Sequence, residues 1–193
     1  MIEENSMRTQ VLNEAQDLVQ TRGYNAFSYR DLATRIGIKT SSIHYYFPAK
    51  ENLGTALVSR YRAAFKAAIS SIDEQTADPS IKIAHFSALF IDTLMSGRIC
   101  LCGMLATDYP TLPETIQLEV QAFFNENEVW LEKVLKSGHD QGVFHFQGTS
   151  KSMAKTIFST LEGAMIAARL FNDDTRLRSA AEWVQSALRG NSN

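Results

Sequence analysis

The chain has 193 residues and a mass of 21.6 kDa, with 45% apolar and 21% charged residues and a net charge of -2. That length suffices for one large domain or two small ones, and the composition excludes wholesale disorder. No apolar run approaches the ~18 residues of a membrane span, and two cysteines only two positions apart, Cys100 and Cys102, give no disulfide framework.

Only 4 prolines and 10 glycines favour helices over many short turns. Val11, Leu12, Ala15, Leu18 and Val19 lie on one face of a 3.6-residue period, and Arg22-Gly23 closes that first helix. Tyr24 and Phe27 then fold back as core anchors. Ser28, with Asp31 three residues on, opens a short second helix through Ile36 as a capping box, although aspartate is one methylene shorter than the usual partner. Gly37 breaks the chain, and Lys39-Thr40-Ser41-Ser42 offers capping hydroxyls for a third short helix to Tyr46. Pro48 stops it. Leu53, Ala56, Leu57, Tyr61, Ala64, Phe65 and Ala68 mark a long amphipathic helix from Ala49 to about Ile72, and Asp73 to Ser80 is the loop that bounds the first helical part.

A second helical assembly follows. Ile81 to about Ser96 carries Ile83, Phe86, Leu89, Phe90 and Leu94 at helical spacing, and a short helix fits Leu101 to Thr107. Pro113-Glu114 opens a long helix to about Ser137, proline and acid both suiting a first turn. Gly138 to Gly148 connects to two last helices, Ser150 to Phe171 and Thr175 to Leu188. The expected class is all-α, with no internal repeat. The acidic start Met1-Ile2-Glu3-Glu4-Asn5 lacks the apolar core of a secretion leader, and the cysteine usage suits a reducing cytoplasm.

Charge is unevenly spread. Through Ile72 there are nine Lys/Arg and six Asp/Glu, a net of +3, and the remainder holds ten and fifteen, a net of -5. A basic head on an acidic body suggests a nucleic-acid module at the front. The segment Tyr29 to Phe47 supplies its pattern. Ala33 is the small residue two crossing helices need, Gly37 tolerates the positive φ of a tight turn, and Leu32, Ile36, Ile38 and Ile43 form a buried knot. Lys39, Thr40, Ser41, His44 and Tyr45 stay on faces that need no burial, with side chains suited to phosphates and base edges. A plain corner between two helices would show much of the same pattern.

The run from Tyr24 through Leu53 resembles the DNA-binding domain of TetR-family transcriptional regulators. The resemblance is carried by Ser28-Tyr29-Arg30-Asp31-Leu32-Ala33, by Gly37-Ile38, and by Ser42-Ile43-His44-Tyr45-Tyr46-Phe47-Pro48-Ala49-Lys50-Glu51-Asn52-Leu53. It implies an all-α homodimer, usually a repressor, that binds an inverted-repeat operator in double-stranded DNA. A three-helix reader would occupy residues 1–50, and a linking helix with an effector-binding and dimerisation part residues 51–193. It further implies that Lys39, Thr40, Ser41 and His44 face the major groove, that Tyr45 and Lys50 reach phosphates, and that Tyr29 and Arg30 add backbone contacts. His44 departs from the pattern, standing where tyrosine is common. Tyr46 and Phe47 are expected to pack in the core.

A small-molecule effector, with no cofactor, metal or membrane, completes this expectation. Its pocket would draw on Phe86, Phe90, Met104, Tyr109, Phe123, Phe124, Trp130, Phe158 and Met165, each of which also suits plain core, and Glu126, Glu128, Glu132 or Glu162 would favour a cationic ligand. The helix from Ala49 to Ile72 is the element expected to link reader and sensor. Leu161, Ala164, Met165, Ala168, Leu170 and Phe171, with Ala180, Ala181, Trp183, Val184, Ala187 and Leu188, give the last two helices apolar faces for a dimer. Cys100 and Cys102 are either buried thiols or a sensor of electrophiles, with Arg98 near enough in sequence to favour a thiolate. A lone C-x-C lacks the ligands of a zinc site, and an i, i+2 disulfide would strain the backbone. A cysteine-dependent hydrolase would need a histidine partner that His44, His85, His139 and His145 do not announce by spacing, and no nucleophile elbow or phosphate-binding glycine loop occurs, so an enzyme is not expected. A helical scaffold that uses the N-terminal module only to dimerise remains a third reading.

Overall fold

The computed structural model describes residues 2–189. Among them the chain forms nine α-helices and no strand: α1 (Ile2–Arg22), α2 (Tyr29–Ile36), α3 (Thr40–Tyr46), α4 (Lys50–Gln75), α5 (Pro79–Met95), α6 (Leu101–Thr107), α7 (Glu114–Asp140), α8 (Ser150–Phe171) and α9 (Thr175–Arg189). A 3-10 turn at Tyr109–Thr111 follows α6. None of the described helices is long and apolar enough to cross a membrane. The all-α class and the order of helices are those the periodicity predicts.

Two helix ends run further than expected. α4 continues past Ile72, so the loop before α5 shrinks to Thr76–Asp78. The last turn of α4 is held by Asp73, whose carboxylate accepts from Lys82 Nζ at 2.5 Å and from the Trp130 indole at 2.9 Å. Burial alone would raise the Asp73 pKa, but the Lys82 and Trp130 hydrogen bonds outweigh it and lower the value. Asp78 then caps α5 by accepting from Ser80 and Ile81 N–H, with Pro79 in the first turn where its missing N–H costs nothing. α7 likewise passes Ser137 to reach Asp140. Gly138 lies inside it because any Cβ there would collide with the Phe144 ring.

Packing divides the chain differently from a boundary at 50/51. One compact unit runs to Ala64 and takes back Cys100–Phe123, and the other holds Phe65–Ile99 and the chain from Phe124 on. The first unit buries Val11, Leu12, Ala15, Leu18 and Val19 of α1 against α2 and α6, with Phe27, Leu32, Ile43, Phe47 and Leu57 in the same core. The second packs α5, α8 and α9 together around Phe86, Phe90, Phe158, Leu161, Leu177 and Val184. Both α4 and α7 contribute residues to each unit, so α4 is not alone in joining them.

Candidate functional site

The site begins with α2. Ser28 is extended (φ -124°, ψ 170°), and its N–H donates to Asp31 Oδ2 at 2.7 Å while Asp31 N–H donates to Ser28 Oγ at 3.4 Å. Aspartate reaches after all, and its hydrogen bonds from the Ser28 hydroxyl and N–H hold the Asp31 carboxyl below its ordinary range. At the other end Gly37 adopts φ 78°, and the N–H groups of Gly37 and Ile38 both return to Ala33 O, at 2.9 and 3.0 Å. That closure fixes the turn into α3.

The expected hydroxyl cap of α3 is absent. Its N-cap is Lys39, which has no side-chain acceptor, and Thr40 and Ser41 fall inside the first helical turn with their side chains exposed. The helix begins one residue too early for a hydroxyl to cap it, which leaves those hydroxyls to an outside partner. Ile43 is fully buried beneath them, Leu32 with it, and Ile36 and Ile38 are half-buried. Lys39, Thr40, Ser41, His44 and Tyr45 therefore stand together on the solvent side of α3, Tyr45 at 71% exposure. Arg30 on α2 is exposed as well, Phe47 is buried and Tyr46 half-buried.

Tyr29 and Lys50 are placed otherwise than backbone contacts require. Tyr29 is buried, and its hydroxyl donates to Phe47 O at 2.9 Å across the end of α3. Burial, with a smaller contribution from Tyr24, pushes its pKa up to about 12, so it stays a donor. The Lys50 ammonium donates to Tyr24 O at 2.6 Å and to Phe27 O at 2.5 Å, and it lies 4.6 and 4.3 Å from the centroids of those two rings. Burial lowers its pKa, partly offset by Asp31 and Asp108. The lysine at the start of α4 thus staples the α1–α2 loop, using two of its three protons.

One cation escaped the sequence reading. Arg8 of α1 is exposed, with its guanidinium 5.1 Å from the centroid of Phe47 at the end of α3. Its only signal was a position just before the first periodic residue. Arg35, by contrast, pairs with Glu14 and Asp17 of α1 at 3.3 and 2.9 Å.

The nine pocket candidates separate. Phe86, Phe90, Phe124, Trp130, Phe158 and Met165 belong to the second unit, while Met104, Tyr109 and Phe123 belong to the first. Within the second unit the rings pack on one another: Phe86 stacks on Trp130 at 5.3 Å, and Phe158 meets Phe124 at 5.0 Å and Phe90 at 5.9 Å. A cavity of about 340 Å³ in this unit lies elsewhere, at the ends of α5 and α8, lined by Leu94, Met95, Arg98, Ala168, Arg169 and Asp173 among others. None of the nine candidates lines it. Asn127 and Glu162 are buried polar side chains that helical spacing places one turn from Trp130 and Phe158, whereas Glu126 is exposed.

Both cysteines are buried and neither is in a disulfide. Cys100 is the N-cap of α6, where Sγ accepts from Gly103 N–H at 3.4 Å and from the Tyr61 hydroxyl at 3.8 Å. Arg98 lines the cavity of the second unit.

Comparison with known proteins places this geometry. Residues 11–57 match the family model described as bacterial regulatory proteins, tetR family, and residues 82–184 match the tetracyclin repressor-like C-terminal domain. The chain is similar to a TetR-family transcriptional regulator from Agrobacterium tumefaciens, with TM-score 0.94 and 32% identity over 97% of this chain and 100% of that one. It is also similar to a TetR transcriptional regulator from Legionella pneumophila, with TM-score 0.85 and 37% identity over 93% and 95%. The transcriptional repressor NemR of Escherichia coli K12 is 20% identical over 190 residues, 96% of this chain and 95% of that protein. A crystal structure of the reduced form of E. coli NemR shares the fold at TM-score 0.83, with 20% identity over 96% and 99%.

Proposed function

The chain belongs to the tetR family of bacterial regulatory proteins, a family of transcriptional regulators, and from that premise we propose that it is a dimeric cytoplasmic repressor released from a palindromic operator by a small-molecule effector. The observation that carries the reading is α3 itself: Lys39, Thr40, Ser41, His44 and Tyr45 are exposed on a short helix seated on buried Ile43. Lys39, Thr40, Ser41 and His44 take the major groove, and Tyr45, Arg30 and Arg8 take phosphates. Tyr29 and Lys50 position the reader from inside. The reader spans residues 1–50, and the rest links, senses and dimerises.

The dimer is supported by α8 and α9. Ile166, Leu170, Phe171 and Trp183 are 44%, 75%, 60% and 55% exposed, an apolar patch a lone subunit has no use for. Gly163 on the same helix leaves open space where a second helix can approach. A two-fold pairing of these faces makes a four-helix bundle. For the effector, the aromatic cluster of the second unit supplies apolar surface, with Asn127 and Glu162 as the polar groups that select the ligand.

Selection from random DNA tests the reading directly. The expected product is an inverted repeat whose half-site centres lie about 10 bp apart, one helical turn, bound by a protein that light scattering weighs as a dimer without DNA. Thr40→Ala should change the preferred base at one symmetric position and leave stability within about 0.5 kcal/mol, since the side chain is exposed. Unrelated sequences recovered at low salt with folded protein would sink the proposal.

A second reading, release by electrophiles, is favoured by the donors around Cys100. An N–H and a phenol both pointing at Sγ stabilise the thiolate over the thiol, although burial slows any reagent. On this reading N-ethylmaleimide frees operator DNA from the wild type and from Cys102→Ser but not from Cys100→Ser. Equal release from all three proteins removes the thiol from the mechanism.

A further inference from the structure

We infer that His44 determines specificity as a hydrogen-bond acceptor, its imidazole fixed in one tautomer by the end of its own helix. Resting on the DNA-binding reading, this goes beyond it by naming what the residue recognises. Nδ1 of His44 lies 3.1 Å from Pro48 O, and a carbonyl oxygen can only accept. The proton is therefore on Nδ1. A neutral imidazole carries one N–H, so Nε2 holds a bare lone pair.

The ring is also held in orientation. It meets the Tyr29 ring at 4.8 Å and 65°, and Tyr29 is itself tied through its hydroxyl to Phe47 O. Flipping the imidazole would give up the Pro48 bond and put the Cδ2–H there instead, and moving the proton to Nε2 would set the Nδ1 lone pair against the carbonyl. Meanwhile His44 is exposed, and it sits three and four residues beyond Ser41 and Thr40, on the face those hydroxyls share. An acceptor at that place matches an amino group of a base.

In the major groove the amino groups belong to adenine N6 and cytosine N4, whereas guanine and thymine offer carbonyl oxygens at the corresponding edge. A keto base on the contacted strand would face Nε2 with another lone pair. One neutral hydrogen bond, lost and replaced by that repulsion, amounts to a preference on the order of tenfold. Tyrosine, common at this position, can donate and accept through its hydroxyl. Histidine held in this way only accepts.

Two measurements test the inference at about pH 8. Long-range proton–nitrogen NMR of the free protein, with His44→Gln identifying the signal, should show His44 in the Nδ1–H form; the Nε2–H form overturns the proposal without touching the DNA-binding reading. Selection from random DNA should then give, at one symmetric position of the inverted repeat, a split between amino and keto bases. His44→Arg, which only donates, should invert that split. Replacing the contacted adenine by purine, or cytosine by 2-pyrimidinone, should weaken the wild type on the order of tenfold and leave His44→Ala unchanged. An inverted repeat in which no position responds to His44 overturns the specificity role alone. No inverted repeat at all overturns the DNA-binding reading, and this proposal with it.

Discussion

Lys50→Met is expected to weaken DNA binding at every salt concentration without changing the slope of log affinity against log salt. A lysine on a phosphate releases a counterion, and its loss lowers that slope by about 0.9. Lys50 instead has two protons on Tyr24 O and Phe27 O and sits over both rings, so its work is done inside the protein. Methionine fills similar space but leaves two carbonyls without their charged donor, a loss of about 1.5–3 kcal/mol in stability. The consequence for binding is indirect. The start of α4 comes adrift from the α1–α2 loop, and α2 and α3 lose the frame that aims them. Lys39→Met is the control: Lys39 is exposed at the head of α3, so its loss should lower the slope while the denaturation midpoint stays put. Titrations between about 50 and 200 mM salt, beside urea melts, separate the two lysines. A drop in slope for Lys50→Met returns it to the phosphates.

What the sequence announces and what it hides differ in kind. Ser28 with Asp31 and Gly37 act on their own neighbours, within four residues, and each does in the structure what its spacing predicts, whereas Asp78 and Pro79, in the expected loop, cap and open α5. Burial of Leu32 and Ile43 was legible too, because a helical period marks one face, and that of Phe47 because an aromatic at a helix end usually buries. Long side chains are another matter. Lys50 finds partners 26 and 23 residues away, and Tyr29 closes on Phe47 18 residues on; spacing says nothing about which carbonyl a flexible or buried polar group will reach. The same limit applies to the effector region. Phe123 and Phe124 are neighbours in α7 yet fall in different compact units, so a set chosen for aromatic character gathered side chains from two cores. Cys100 shows it once more, since spacing does not announce that a tyrosine hydroxyl 39 residues away donates to its sulfur.

Phe158→Ala should cost about 3–5 kcal/mol. Phe158 is fully buried on α8, and its ring meets Phe86 and Phe90 of α5 and Phe124 of α7, so it joins three helices at one point. The loss matters for function because it distinguishes a closed core from a roomy pocket. In a closed core the alanine leaves an apolar hole, the urea midpoint falls at constant slope, and the full cost appears. A site with slack would relax around the deletion and lose far less. Phe158→Leu, which keeps most of the volume, should fall between and guards against a variant too unstable to measure. The hole should then accept benzene or phenol, and ligand at about 100 times its dissociation constant would restore about 2.7 kcal/mol. Rescue of Phe158→Ala, with no such effect on the wild type, would mean that the natural effector must part these rings before it can bind. Its affinity is then reduced by the cost of that opening.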